Sequence, residues 1–234
     1  MKKMSIFISH ISEEAELAAI LKKHLTKDFL GLFSVFVSSD TVSISAGSKW
    51  LESIENALRN AKAELVLCSK ASIKRPWINF EAGAGWMRNI PIIPVCHSGL
   101  RPRDLSSPLN FLQGIEAKKE GGIEQIYKLL AETLGVDMPA VNTNAIVDEI
   151  KMFEEKYIPI LEKSIELQAS KETAALERIR DILKEEGYVW RRVDTLATKG
   201  GITRGETLDI LRTDKNVVFG KSKNGTMLVK LKSR

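Results

Sequence analysis

MSIFISHISEEAELAAILKKHL, residues 4–25, decides the fold. A short apolar and β-branched run, MSIFIS, is followed by an acidic turn and an amphipathic stretch, EEAELAAILKKHL. The same alternation repeats outward: LFSVFVS before SKWLESIENALRNA, AELVLCS before PWINFEAGAGWMR, then IPIIPVC, and FLQGIEA before IEQIYKLLAETLG. Strand, helix, strand, helix in this order predicts a parallel sheet with helices on both faces. Its strands read as continuous apolar runs because both sides are covered. Between the fourth and fifth strands, SGLRPRDLSSPLN (98–110) carries Pro102 and Pro108, which leaves little room for a regular helix.

The pattern pauses at MPAVNTN (138–144), and a polar connector helix is expected over roughly 144–170. The remainder reads as a separate unit. ETAALERIRDILKEEG is helical and ends on Gly187, RRVDTLATKGG and TRGETLDILRTD are two shorter helical pieces, and NVVFGKSKNGTMLVKLK is two strands around an Asn224–Gly225 turn. Three helices and a basic hairpin outline a winged helix. The expected division is therefore 1–137, a linker and connector helix over 138–171, and a winged-helix-like domain over 172–234.

The 234 residues, 44% hydrophobic and 28% charged, suit a soluble globular protein. No apolar run approaches the ~20 residues of a membrane helix. The N-terminus lacks the pattern of a signal peptide, so a cytoplasmic location is expected. Cys68 and Cys96 each close an apolar run and read as small buried thiols. The net charge of +5 is uneven: residues 172–234 hold fourteen Lys and Arg against nine Asp and Glu, so residues 1–171 are neutral. Residues 215–234 hold six basic residues and no acidic one, which favours an acidic or polyanionic partner for that end.

Ligands of an open parallel sheet settle beyond the carboxyl ends of its strands. Those ends offer Ser9 and His10, then Ser38, Ser39 and Asp40, then Ser69. There is no GxGxxG and no GxxxxGK[ST], which argues against a dinucleotide fold or phosphate loop, and Cys68 and Ser69 stand where a phospho-receiver needs an acid. Pro76 suits the first turn of a helix, and Trp77 and Glu81, four apart, project from one face of it. Phe80, Ala82, Ala84 and Trp86 crowd Glu81 with apolar groups that would raise its pKa or demand a partner. Gly83 and Gly85 each cost a helix about 1 kcal/mol relative to alanine, and close approach by a ligand or another helix would explain them.

Hydrolysis of an ordinary glycoside takes two carboxyl groups. A nicotinamide N-glycoside does not, because the pyridinium departs as a neutral base; one anion and an aromatic wall suffice. Glu81 with Trp77 or Trp50 fits that requirement. His10, His24 and His97 are scattered without metal-ligand spacing, so no metal is expected.

IFISH with SEEAE, the loop DTVSISAG (40–47) before SKWLESIENALRNA, ELVLCS, and SIKRPWINFEAG with its WxxxE together resemble a TIR domain over residues 4–135. The resemblance implies a flavodoxin-like five-stranded sheet. It also implies an NAD+ nucleosidase that yields nicotinamide and ADP-ribose or a cyclic isomer, with Glu81 catalytic and NAD as substrate rather than cofactor. By the same resemblance Trp77 lines the pocket, Ser9 and His10 sit in the loop after the first strand, and Asp40 to Gly47 form the loop of assembly and substrate access. Ser38 and Trp50 complete the expected substrate contacts. Ile11 follows His10 where many enzymatic relatives carry an aromatic or basic residue, so stacking falls to Trp50 or a neighbouring subunit. Self-association with other TIR domains and a role in antiphage defence or immune-type signalling are implied as well. Two other readings stay open: a non-catalytic TIR interaction module, and a nucleoside deoxyribosyltransferase-like enzyme. For the C-terminal unit, Arg204 and Arg212 on the candidate recognition helix and Lys221 and Lys223 near the wing would contact nucleic-acid phosphates, with protein docking the other possibility.

Overall fold

Apolar runs of β-branched and aromatic residues become strands wherever both of their faces can be buried. In the structure, a computed structural model that describes residues 4–38, 50–185 and 189–232, five such runs form one sheet. They are β1 (Ser5–Ser9), β2 (Ser34–Val37), β3 (Ala61–Cys68), β4 (Ile92–Cys96) and β5 (Ile115–Glu116). The order is β2-β1-β3-β4-β5 and every pairing is parallel. In β3, Ala63, Leu65 and Leu67 are buried on one face and Glu64, Val66 and Cys68 on the other. That is the expected flavodoxin-like α/β arrangement, and among the described residues no helix is long and apolar enough to cross a membrane.

The helices follow the strands in turn: α1 (Ala15–Asp28), α2 (Trp50–Asn60), α3 (Pro76–Met87) and α4 (Gly122–Leu134). Pro76 opens α3 with its φ already helical and no N–H to leave unpaired. Between β4 and β5 the chain makes only the short 3-10 turns Pro102–Asp104 and Leu109–Phe111, as its prolines dictate. Because β2 and β3 lie on opposite sides of β1, the chain reverses its direction of travel there. The crevice beyond the ends of β1 and β3 is the site such a sheet offers.

α5 (Thr143–Lys184) is a single helix of 42 residues, so the expected connector and the helix after it are continuous. No glycine interrupts SKETAALERIR, and its Glu, Lys, Ala and Arg residues favour helix. The chain divides into two compact units, Met1–Leu161 and Glu162–Arg234. In the first, Ile146, Ile150, Phe153, Tyr157 and Leu161 form one buried stripe of α5 at helical spacing. In the second, α6 (Val193–Gly200) and α7 (Arg204–Thr213) follow, with an antiparallel sheet ordered β6-β8-β7. β6 (Arg191–Arg192) takes residues expected to be helical: Arg191 and Arg192 pair with Val229 and Leu228 of β8 (Met227–Leu231). β7 (Val217–Lys221) and β8 make the expected hairpin, with Gly225 at φ +81° in its turn. Ile179, Leu183, Val193, Leu196, Leu211, Val217 and Val229 form this unit's core.

Candidate active site

Ser9 is the last residue of β1, Ser38 lies just past β2, and Trp77 and Glu81 stand one turn apart in α3. The structure joins three of these four. The Trp77 indole N–H donates to Glu81 Oε1 at 2.7 Å, and the Ser9 hydroxyl donates to Glu81 Oε2. The Glu81 carboxyl is buried, and burial pushes its pKa up to about 7 against the pull of the two donors. Beside it, the His10 backbone N–H donates to Ser38 Oγ at 3.3 Å, and Ser38 Oγ lies 3.1 Å from His10 Nδ1. Burial lowers the His10 pKa and favours the neutral ring. Trp77 also stacks on Phe80, with ring centroids 5.1 Å apart. Trp50 is the first residue of α2; Asp40 and Gly47 lie outside the described residues.

Glu81 is not the lone acid that its sequence neighbourhood indicates. Glu64, in the middle of β3, is also buried, and neither of its carboxyl oxygens has a hydrogen-bond partner among the described residues. Burial and then the charge of Glu81 push its pKa up to about 8, with Arg88 opposing. Arg88 itself donates to the backbone oxygens of Leu58 and Ala61, at 2.5 and 2.8 Å. Glu64 also explains one glycine. A Cβ on Gly85 would lie 2.2 Å from Glu64 Oε2 and 3.2 Å from Ile92 Cδ1, so α3 needs glycine there to pack on the sheet. The close approach is thus to strands β3 and β4 rather than to another helix. A Cβ on Gly83 would meet nothing within 4 Å. Sequence reasoning passed over Glu64, although an acid inside AELVLCS, a strand expected to be apolar on both faces, is a signal in itself.

A second polar cluster lies at the ends of β3 and β4. Glu14 Oε1 accepts from Ser69 Oγ at 2.6 Å and Tyr157 Oη at 3.4 Å, and His97 Nε2 lies 3.2 Å from the same oxygen without hydrogen-bond alignment. Glu154 accepts from the Ser98 backbone N–H at 2.7 Å and pairs with Lys118. Ser69, a strand-end residue open to a ligand by sequence, is thus enclosed with Glu14 and Tyr157. Glu14, Glu154 and Tyr157 carried no local signal, since their partners are distant in the chain. His24 meets Glu149 at 3.0 Å. Cys68 and Cys96 are buried, and burial pushes both thiols up, Cys96 to about 12.

In the second unit, the Arg204 guanidinium pairs with Asp194 at 2.8 Å and that of Arg212 with Asp209 at 3.7 Å. Lys221 and Lys223 are exposed at the hairpin end.

Residues 6–130 match the family model described as TIR domain. No curated protein matches the chain. Among solved structures, it resembles a metazoan TIR-STING receptor from C. gigas in complex with 2',3'-cGAMP, at 20% identity and a TM-score of 0.38, over 62% of this chain and 38% of that one. It also resembles the TIR domains of the activated Roq1 resistosome that recognises the pathogen effector XopQ, at 12% identity and a TM-score of 0.36, over 69% of this chain and 99% of that one. The chain therefore spans well under half the length of the receptor and nearly all of the Roq1 TIR chain.

Proposed function

The chain belongs to the TIR domain family, and from that premise we propose that it is an NAD+ nucleosidase with Glu81 as its catalytic anion. The observation that carries this reading is a buried carboxyl at the crevice of the sheet, held by Ser9 and Trp77 and poised near neutrality at about 7. Groups tuned this way by burial and specific donors favour functional sites.

In the proposed reaction the bond between ribose C1′ and the nicotinamide nitrogen breaks, and its electron pair neutralises the pyridinium. Nicotinamide leaves without needing a proton. The positive charge that develops at C1′ and the ring oxygen is stabilised by the Glu81 carboxylate, which is worth most in a site that excludes water. Ser9 and Trp77 fix the carboxylate by one donor to each oxygen. Water then adds to C1′ and loses a proton, giving ADP-ribose; attack by another atom of the same nucleotide gives a cyclic isomer. The neutral His10 ring brings no competing positive charge to the crevice. The charge of the incoming pyridinium favours the ionised form of Glu81, lowering its pKa on binding.

Nicotinamide release from NAD+ tests the reading: Glu81→Ala should abolish it, and unchanged release in that variant would remove the proposal. One observation favours a second reading. Glu81 is 0% exposed and both of its oxygens are satisfied, as a purely structural carboxyl would be. A non-catalytic TIR interaction module would self-associate with rising concentration while releasing no nicotinamide. Signalling or antiphage defence through TIR self-association belongs to the same proposal. For the second unit, the helices and hairpin support a winged-helix-like reading, but the acidic partners of Arg204 and Arg212 weaken its nucleic-acid role.

A further inference from the structure

One face of α5 and one face of α7 in the second unit enclose a groove of about 440 Å³. From α5 come Ala169, Glu172, Thr173 and Leu176, and from α7 come Glu206, Asp209, Ile210 and Thr213. In both helices the spacing is i, i+3, i+4, i+7, so each presents one continuous ridge. Each ridge is roughly 10 Å long at 1.5 Å per residue, two helical turns. Ala169, Leu176 and Ile210 give the groove an apolar interior, while Glu172, Glu206 and Asp209 are exposed acids around it.

The rim stays anionic. Glu206 belongs to the capping box of α7, and its hydrogen bonds from the Thr203 side chain and backbone hold it below the usual carboxylate range. Glu172 accepts from Gln168 at 2.9 Å, a donor that carries no charge. Arg212 faces Asp209 at 3.7 Å, an exposed pair that solvent screens.

We propose that this groove docks a partner's amphipathic helix, with an apolar stripe at i, i+3 or i+4 and i+7 entering between the ridges and Lys or Arg along both edges. Two parallel walls of helical side chains are the shape into which a third helix packs. The acids on both walls select a basic partner and repel phosphate, and Arg204 and Arg212, which sequence nominates for a nucleic acid, do not line the groove. The hairpin lysines are then not part of this contact.

The test uses the full chain and a fluorescein-labelled helical peptide of about 14 residues, with leucines on one stripe and lysines flanking it, followed by fluorescence anisotropy. Saturable binding is expected, weakened by salt and by scrambling the peptide. Glu172→Lys with Asp209→Lys should weaken it at least about tenfold, while Lys221→Glu with Lys223→Glu should not change it. Glu206 is left intact because it caps α7. Thr173→Lys, which breaks no ion pair, is a second route to the same loss if the double variant fails to fold by circular dichroism. No saturable binding, or equal affinity for the intact chain and a folded charge-reversed variant, would overturn the proposal. So would a failure of the peptide to bind where labelled duplex DNA, tested alone, binds saturably, which would make the second unit a phosphate reader. Self-association that the charge-reversed variants lose, with the peptide excluded, would make the occupant a second copy and overturn it as well.

Discussion

Removing the Ser9 hydroxyl should move the titration of Glu81 upward, and with it the pH dependence of nicotinamide release. The carboxyl has two donors, and Ser9→Ala deletes the one on Oε2 while leaving Trp77 on Oε1. A hydrogen bond to a charged group contributes about 1.5–3 kcal/mol, and one pKa unit corresponds to about 1.36 kcal/mol. Ser9→Ala should therefore raise the Glu81 pKa from about 7 by roughly one to two units. If the carboxylate is the active form, release by the wild type rises with pH and levels above about 7, and the variant levels only near pH 8 to 9. At pH 7 the ionised fraction drops from about a half to about a tenth or less, so the rate falls roughly five- to fifty-fold and recovers at high pH. Nicotinamide release across the pH range reads the kinetics, and a carbon-13 titration of the Glu81 carboxyl reads the group directly. A midpoint at or below the wild-type value would refute the reasoning. A loss that persists undiminished at high pH would assign Ser9 to something other than holding the anion. The stability sign is also fixed: with its folded pKa above the unfolded 4.5, Glu81 holds its proton longer in the folded chain, so its contribution to stability falls as pH rises from 4.5 through 7. The variant should extend that fall upward.

The two glycines of α3 should respond to alanine with opposite signs in urea denaturation. Gly83→Ala should stabilise by about 0.5–1 kcal/mol, since its Cβ enters open space on a helix, whereas Gly85→Ala should cost about 1–3 kcal/mol because it forces apart Glu64 and the helix backbone. Stabilisation by both would refute the packing account. Glu64→Gln should flatten the stability curve: a carboxyl that titrates near 4.5 unfolded and about 8 folded loses about 2–3 kcal/mol of its contribution between pH 5 and 7. Denaturation at those two pH values should show that part of the slope in the wild type and not in the variant, and equal slopes would refute it.

What the sequence made legible is what repeats locally. Covered parallel strands are mostly apolar, which sets the five in order, and Pro76 with the four-residue spacing of Trp77 and Glu81 places the acid on α3. Contacts between distant positions were not legible. Ser9 meets Glu81 across 72 residues and Tyr157 meets Glu14 across 143, and no local pattern encodes either. The continuity of α5 is hidden as well: Pro159 stands inside it, yet no glycine interrupts Thr143–Lys184, and a long polar segment of good helix formers reads as two helices where the structure has one.

Glu64 puts the requirement for a single anion under the most pressure, because it brings a second buried carboxyl within the electrostatic reach of Glu81. Two ionised carboxylates in that space would repel each other and give the proposed reaction two anions where it needs one. Their donors separate them. Glu81 has a hydroxyl and an indole N–H to stabilise its charge and titrates near 7; Glu64 has no hydrogen-bond partner among the described residues and titrates near 8. Glu81 therefore ionises first, and its charge then holds the proton on Glu64. Unequal hydrogen bonding of two equally buried acids lets one ionise before the other, which suits the departure of a pyridinium in the proposed reaction. Gly85 is the structural condition for that arrangement, since any larger side chain there would displace the neutral acid from beneath α3.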